Sequence, residues 1–238
     1  MATVILVRHG RTEANATGLL AGRTPGVRLD ATGAEQAARL AERLAVLPLA
    51  SLVSSPLERC RDTAAAIGKA QQSRTRVARE RGLTECDYGD WQGRTIKELA
   101  KEPLWRTVQT QPSAATFPGG ESMTAMQARA VEAVRRRDAA VEAEHGAGAV
   151  WVAVSHGDII KSVLADALGM HLDLFQRIHV DPASVSIVRY TGTRPYVLAT
   201  NTHAGDLGWL APRRKRSRRA RPSEDAPVGG GGGPSAAV

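Results

Sequence analysis

Twice in this chain a short apolar run delivers a histidine and a glycine directly into a turn: "VILVRHG" at Val4–Gly10 and "VWVAVSHG" at Val150–Gly157. Runs this short and rich in β-branched residues read as buried strands rather than helices. A third run, "SLVSS" at 51–55, has the same character. Each is followed by a segment of helical periodicity. "DATGAEQAARLAERLAVL" carries apolar residues at helical spacing behind a capping-type Asp30 or Thr32, and Pro48 stops it. "PLERCRDTAAAIGKA" has Pro56 placed to open a helix and Gly68 near its end. "GESMTAMQARAVEAVRRRDAAVEAE" predicts a long helix over 120–144, and "DIIKSVLADALG" another after Gly157. "SVSIVRYTGTRPYVLATN" predicts a terminal hairpin over 184–190 and 196–200, turning at Thr-Gly-Thr. Alternating strands and helices imply an α/β fold: a three-layer sandwich with a mainly parallel central sheet and one late antiparallel element. Abundant alanine with only 4% aromatic residues suits helices packed closely on a sheet.

The net charge of +8 does not describe the body of the chain. Seven of the 32 Lys+Arg lie in "RRKRSRRAR", Arg213 to Arg221. Glu224 and Asp225 are the only acids of 212–238, so that segment carries +5 and the body +3. The segment continues as "PSEDAPVGGGGGPSAAV", too poor in large apolar residues to form a core. The expected organisation is therefore one domain over 1–211 and a disordered basic, then Gly/Pro-rich tail over 212–238. The tail could make a weak contact with nucleic acid or another anionic surface, without interleaved aromatics to read bases. No run reaches the roughly 18–20 apolar residues of a membrane span. The N-terminus lacks a basic leader, and Cys60 and Cys86 have no metal-like spacing. A cytoplasmic protein is expected.

In a parallel sheet, ligands sit outside the carboxyl ends of the strands. That rule brings Arg8-His9-Gly10, Ser155-His156-Gly157 and Ser54-Ser55, with Arg59 in the first turn of the next helix, to one edge. Arg8, Arg59, His9 and His156 then make a strongly positive pocket. Helix N-termini after Pro56 and Gly157 would add inward N–H groups. The occupant that matches arginine's fork is a dianionic phosphoryl group. Gly10 would let the backbone turn away without crowding the site. Three loop acids, Glu85, Asp87 and Asp90, are available as proton donors.

In order along the chain, "LVRHGRTEAN", "SSPLERCRDTA", "LTECDYGDWQG", "PGGES" and "VSHGD" resemble the motifs of the histidine phosphatase superfamily, the phosphoglycerate-mutase-like group, over about residues 3–203. The resemblance implies that His9 is a nucleophile forming a phosphohistidine, with Arg8, Arg59 and His156 around the phosphoryl oxygens. It implies that Asn15 and likewise Thr12 contact the phosphate from the following loop, with Gly157 at the adjoining helix start. It singles out Glu85 as the general acid. No metal or cofactor is called for, because the arginines already neutralise the phosphoryl charge.

Such an enzyme is either a phosphatase or a cofactor-dependent phosphomutase. Mutases of the group usually carry arginine directly after the catalytic glutamate, where this chain has Cys86, and a longer cap. The segment 94–119 is compact, with Arg94, Lys97, Lys101 and Arg106 dispersed at helix-like intervals, the pattern of a solvated face. Trp91, Leu104, Trp105 and Phe117 are expected to pack this small cap onto the body. The expected function is hydrolysis of a small-molecule phosphate ester, with mutase chemistry as the alternative. A homodimer is compatible with the sequence.

Overall fold

The computed structural model describes residues 2–71 and 76–203. The expected tail over 212–238 lies outside the described residues. The elements in chain order are β1 (Thr3–Arg8), α1 (Glu13–Thr17), α2 (Ala31–Leu44), β2 (Leu49–Ser54) and α3 (Glu58–Ala70). They continue with β3 (Val77–Arg79), α4 (Ile96–Leu99), α5 (Pro103–Thr110), α6 (Met123–His145) and β4 (Val150–Ser155). The chain then forms α7 (Gly157–Ala167), β5 (Val185–Tyr190) and β6 (Pro195–Thr202).

The six strands lie in the order β3-β2-β4-β1-β5-β6. β1, β2, β3 and β4 run parallel, and β5 and β6 are antiparallel additions at one side. Strand alternation assigns the two faces. Ile5, Val7, Val152 and Val154 meet Leu40 and Leu44 of α2 and Ala64 and Ile67 of α3. Val4, Leu6, Trp151 and Ala153 meet Met126, Ala130 and Val134 of α6 and Ile160 and Val163 of α7. Because both faces are covered, β1 and β4 read as unbroken apolar runs. The expected three-layer α/β sandwich is the observed one.

Local signals mostly mark the ends. Asp30 caps α2 by accepting from Gly33 N, and Ser122 caps α6 by accepting from Ala125 N. Pro56 does not open its helix, since α3 starts at Glu58 after Leu57, while Gly68 lies near its end as expected, two residues before Ala70. Packing on β2 and β4 overrides the glycine's weak helix propensity. The long helix begins at Met123, three residues later than 120, because the Gly119-Gly120 turn is needed upstream. Strand β3 and the cap helices α4 and α5 carry too few periodic residues to stand out in the sequence. Among the described residues, no helix is long and apolar enough to cross a membrane.

Gly10 has a reason different from the expected one. A Cβ there would lie 2.4 Å from the Gly33 carbonyl oxygen, and one on Gly33 would lie 1.9 Å from the Arg11 carbonyl oxygen. The start of α2 is thus pressed backbone to backbone against the turn after His9. Gly33→Ala should destabilise the protein by about 2 kcal/mol or more, whereas Gly192→Ala, which meets nothing within 4 Å, should change it by less than about 0.5 kcal/mol. Urea unfolding of the two variants beside the parent protein measures both.

Candidate active site

The carboxyl ends of β1, β2 and β4 bring Arg8, His9, Ser55, Arg59 and His156 into one buried cluster. Neighbouring strands hold the tip of β1: Arg8 N donates to Ser184 O at 3.2 Å and His9 N to Ser155 O at 3.0 Å. Arg59, in the first turn of α3, spans the centre. Its Nε donates to His9 Nε2 at 3.2 Å, and its NH2 donates to Gly22 O at 2.7 Å and to His156 Nδ1 at 3.2 Å. Its NH1 is buried and has no hydrogen-bond partner. The imidazole rings of His9 and His156 lie edge to face with centroids 5.2 Å apart. Arg8 is fully buried and donates through NH1 to Val180 O at 2.8 Å.

These partners settle the tautomers. His9 Nδ1 lies 2.7 Å from Gly10 O, which can only accept, so Nδ1 carries the proton and Nε2 the lone pair. Arginine can only donate, so His156 Nδ1 is a lone pair and Nε2–H faces Ser55 Oγ at 2.8 Å. Burial first, and the Arg59 charge second, hold both histidines well below their ordinary pKa. Both imidazoles are therefore neutral at physiological pH.

Glu85 reaches the cluster from a loop rather than a strand. Its Oε1 accepts from Cys86 N at 2.9 Å, and Oε2 lies 3.8 Å from His156 Nδ1. Burial pushes its pKa up to about 7, with the nearby Asp158 charge adding to the effect against Arg59 and Arg8. A large fraction is thus a neutral acid near neutral pH. Asp158 itself accepts from Tyr88 OH at 2.8 Å and lies 3.6 Å from the buried Lys161 Nζ. The two rival acids are placed elsewhere: Asp87 is paired with Arg23 at 3.1 Å, and Asp90 is exposed.

The remaining expected site residues sit around this cluster. Gly157 begins α7 directly after His156. Thr12 caps α1, and its N–H and hydroxyl both donate to Asn15 Oδ1, at 3.1 and 2.9 Å. Thr12 is consumed by the cap, and Asn15 keeps only its Nδ2 to donate. In the cap, Arg94 pairs with Glu102, and Lys97, Lys101 and Arg106 are exposed. Trp91 and Phe117 are buried in contact with each other, and Trp91 stacks on Trp105, so these aromatics pack the cap as expected.

Sequence reasoning missed several contributors. Ser55 lay in a quoted motif without a role, and it is the partner that orients His156. Ser155 Oγ donates to Leu83 O at 2.7 Å, tying the acid loop to β4. Arg23, Glu121 and Arg129 bind one another around Glu85 and gave no signal beyond the "PGGES" turn. His179 and His203 bracket the buried Asp181 at 2.9 and 3.1 Å, beside the Val180 carbonyl that holds Arg8.

Residues 4–203 match the histidine phosphatase superfamily (branch 1). The chain belongs to that superfamily. It is 36% identical over 191 residues to a bifunctional protein of Mycobacterium tuberculosis, covering 79% of this chain and 50% of that one. The chain thus spans about half the length of that relative. It is 32% identical to phosphoserine phosphatase 1 of Hydrogenobacter thermophilus, covering 87% and 96%, and 33% identical to a probable phosphoglycerate mutase of Proteus mirabilis, covering 88% and 95%. Among solved structures, a mycobacterial glucosyl-3-phosphoglycerate phosphatase in complex with VO3 superposes with a TM-score of 0.75 at 27% identity, covering 84% of this chain and 98% of that one. Members of the superfamily with these likenesses include both phosphatases and mutases.

Holding Glu85 protonated has a consequence for stability. Its folded pKa of about 7 lies above the ordinary 4.5, so its stabilising share is complete below pH 4.5 and is lost as pH rises through 7. Glu85→Gln removes this dependence. Relative to the parent, the variant should gain about 3 kcal/mol between pH 4.5 and pH 8, read by urea unfolding at both values.

Proposed function

We propose that the protein is a phosphomonoesterase that hydrolyses a small-molecule phosphate ester through a phosphohistidine on His9, with Glu85 as general acid. The observation that carries this reading is Arg59 in its buried setting. Two of its nitrogens are spent on imidazole lone pairs, and its NH1 has no partner. A phosphoryl dianion is a far better acceptor for that fork than two neutral rings. Its arrival would release His9 Nε2 for attack and His156 Nδ1 for proton uptake, and would satisfy NH1.

In the first step, the His9 Nε2 lone pair forms a bond to phosphorus as the bond to the ester oxygen breaks. The Glu85 proton goes to that leaving oxygen. Arg8, Arg59 and His156 keep the equatorial oxygens neutralised throughout, which is where most transition-state stabilisation arises in phosphoryl transfer. The Gly10 carbonyl accepts from Nδ1–H and steadies the positive charge that develops on the ring. In the second step, the Glu85 carboxylate takes a proton from water as the water oxygen bonds to phosphorus. The phosphorus–nitrogen bond then breaks, and its electron pair returns to Nε2.

Water rather than a second ester is favoured as acceptor by the residues beside the acid. Cys86 is buried and its thiol is pushed up, first by burial, so it offers no cation to a second anionic group. The cap cations are paired or turned to solvent. The phosphatase relatives support the same choice.

A chelator-treated sample assayed over a panel of phosphate esters, with mutase assays alongside, tests the reading. His9→Ala should abolish turnover and the acid-labile protein-bound phosphate trapped during it. Glu85→Gln should slow alkyl esters by about 10²–10⁴-fold and p-nitrophenyl phosphate much less, since only a poor leaving group needs the proton. The kcat/KM profile should fall as pH rises through about 7, where Glu85 loses its proton. It should show no acid limb near 6.5, because His9 remains neutral there. Retained activity in His9→Ala overturns the mechanism.

A further inference from the structure

We infer that Arg23 is a positioning residue that fixes the general acid relative to the phosphoryl-binding arginine. The inference rests on the roles proposed for Glu85 and Arg59. Arg23 lies in the loop between α1 and α2, and that loop touches both groups. The carbonyl just before it, Gly22 O, is the acceptor for Arg59 NH2 at 2.7 Å. Its own Nε donates to the main-chain oxygen of Glu85 at 2.9 Å. One peptide step therefore separates the anchor of Arg59 from the anchor of Glu85.

The rest of the side chain makes that step rigid. Arg23 N donates to Gln92 Oε1 at 2.6 Å, NH1 to Asp87 Oδ2 at 3.1 Å and NH2 to Glu121 Oε1 at 2.8 Å. The same Glu121 oxygen accepts from Asp87 N at 2.9 Å, and Glu121 Oε2 accepts from Arg129 Nε at 2.9 Å. Arg129 in turn donates to Gly82 O, Thr84 O and Glu85 O at 2.9, 2.7 and 3.1 Å. Two guanidinium groups, bridged by Glu121, thus hold the acid loop by its carbonyls from both sides. Arg129 ties the loop to α6. Arg23 ties its Glu85 end to the loop that anchors Arg59, while main-chain bonds such as Gly93 N to Leu20 O at 2.8 Å join the two segments further along.

A geometric role of this kind differs from general support of the fold. An acid displaced by about 1 Å loses proton transfer to a poor leaving group, while attack by His9 on an activated ester is little affected. Arg23→Ala should therefore lower kcat on an alkyl phosphate by about 10–100-fold. On p-nitrophenyl phosphate it should cost less than about 3-fold, with KM nearly unchanged on both. In a Glu85→Gln background, the same substitution should cost almost nothing further, because the group it positions is already disabled. Arg23→Lys keeps the charge near Asp87 and Glu121 but cannot also reach the Glu85 carbonyl. It should melt close to the parent protein and show the same leaving-group bias, so it carries the test if Arg23→Ala folds poorly.

The experiment compares the parent, Glu85→Gln, Arg23→Ala, Arg23→Lys and the double variants on both esters, with thermal unfolding of each. Equal losses on the two esters, or losses that multiply in the double variants, overturn the role of Arg23 while leaving that of Glu85 intact. A Glu85→Gln protein indifferent to the leaving group overturns the acid assignment itself, and the inference with it.

Discussion

A permanently charged guanidinium buried between two imidazoles is the interaction on which the site depends. Arg59 is 2% exposed and cannot shed its charge, so the groups its nitrogens touch must be acceptors. Gly22 O, His9 Nε2 and His156 Nδ1 supply lone pairs. That requirement propagates outward. A lone pair on His9 Nε2 places the proton on Nδ1, which then needs the Gly10 carbonyl. A lone pair on His156 Nδ1 places the proton on Nε2, which then needs Ser55. Fixed tautomers and two specific neighbours follow from one cation, which together with burial also keeps the rings neutral.

The same surroundings act in opposite directions on the acid and the bases. Burial and the arginines together push the histidines down, whereas burial pushes Glu85 up and the arginines oppose it. Groups with ordinary pKa values on either side of 5 are thereby made neutral together. The pocket thus holds two arginines, uncharged imidazoles and an acid that is partly protonated near neutral pH, with the buried Asp158 and Asp181 charges also acting on Arg8.

The frame that allows this is the edge of a covered sheet. Register between β1, β4 and β5 places Arg8, His9 and His156 at the tips of adjacent strands, with the main-chain N–H groups of Arg8 and His9 already bonded. The backbone contact between Gly10 and Gly33 presses α2 against the turn after His9. On the other side, Trp91 stacked on Trp105 and edge to face with Phe117 seats the cap.

The layered α/β fold, its parallel strands and the histidine-bearing turns were legible from residue pattern, because buried strands and strand-to-helix turns depend on local sequence. Arg8, His9, Arg59 and His156 could be gathered for the same reason: each sits within a few residues of a strand end. Glu85 became distinct from Asp87 and Asp90 only through resemblance, since all three are loop acids with no periodicity to separate them. Their different environments arise from distant segments: burial and Asp158 for Glu85, Arg23 for Asp87, solvent for Asp90. The limits of α3 and α6, the consumption of Thr12 in a cap and the reason for Gly10 were likewise decided by packing. The sequence by itself determined which chemistry the strand tips could present. Tertiary structure decided which of the three loop acids is buried beside Arg59 and what holds it, because Arg23 and Arg129, bridged by Glu121, converge on the Glu85 carbonyl from sequence separations of 62 and 44 residues, across which no local pattern carries information.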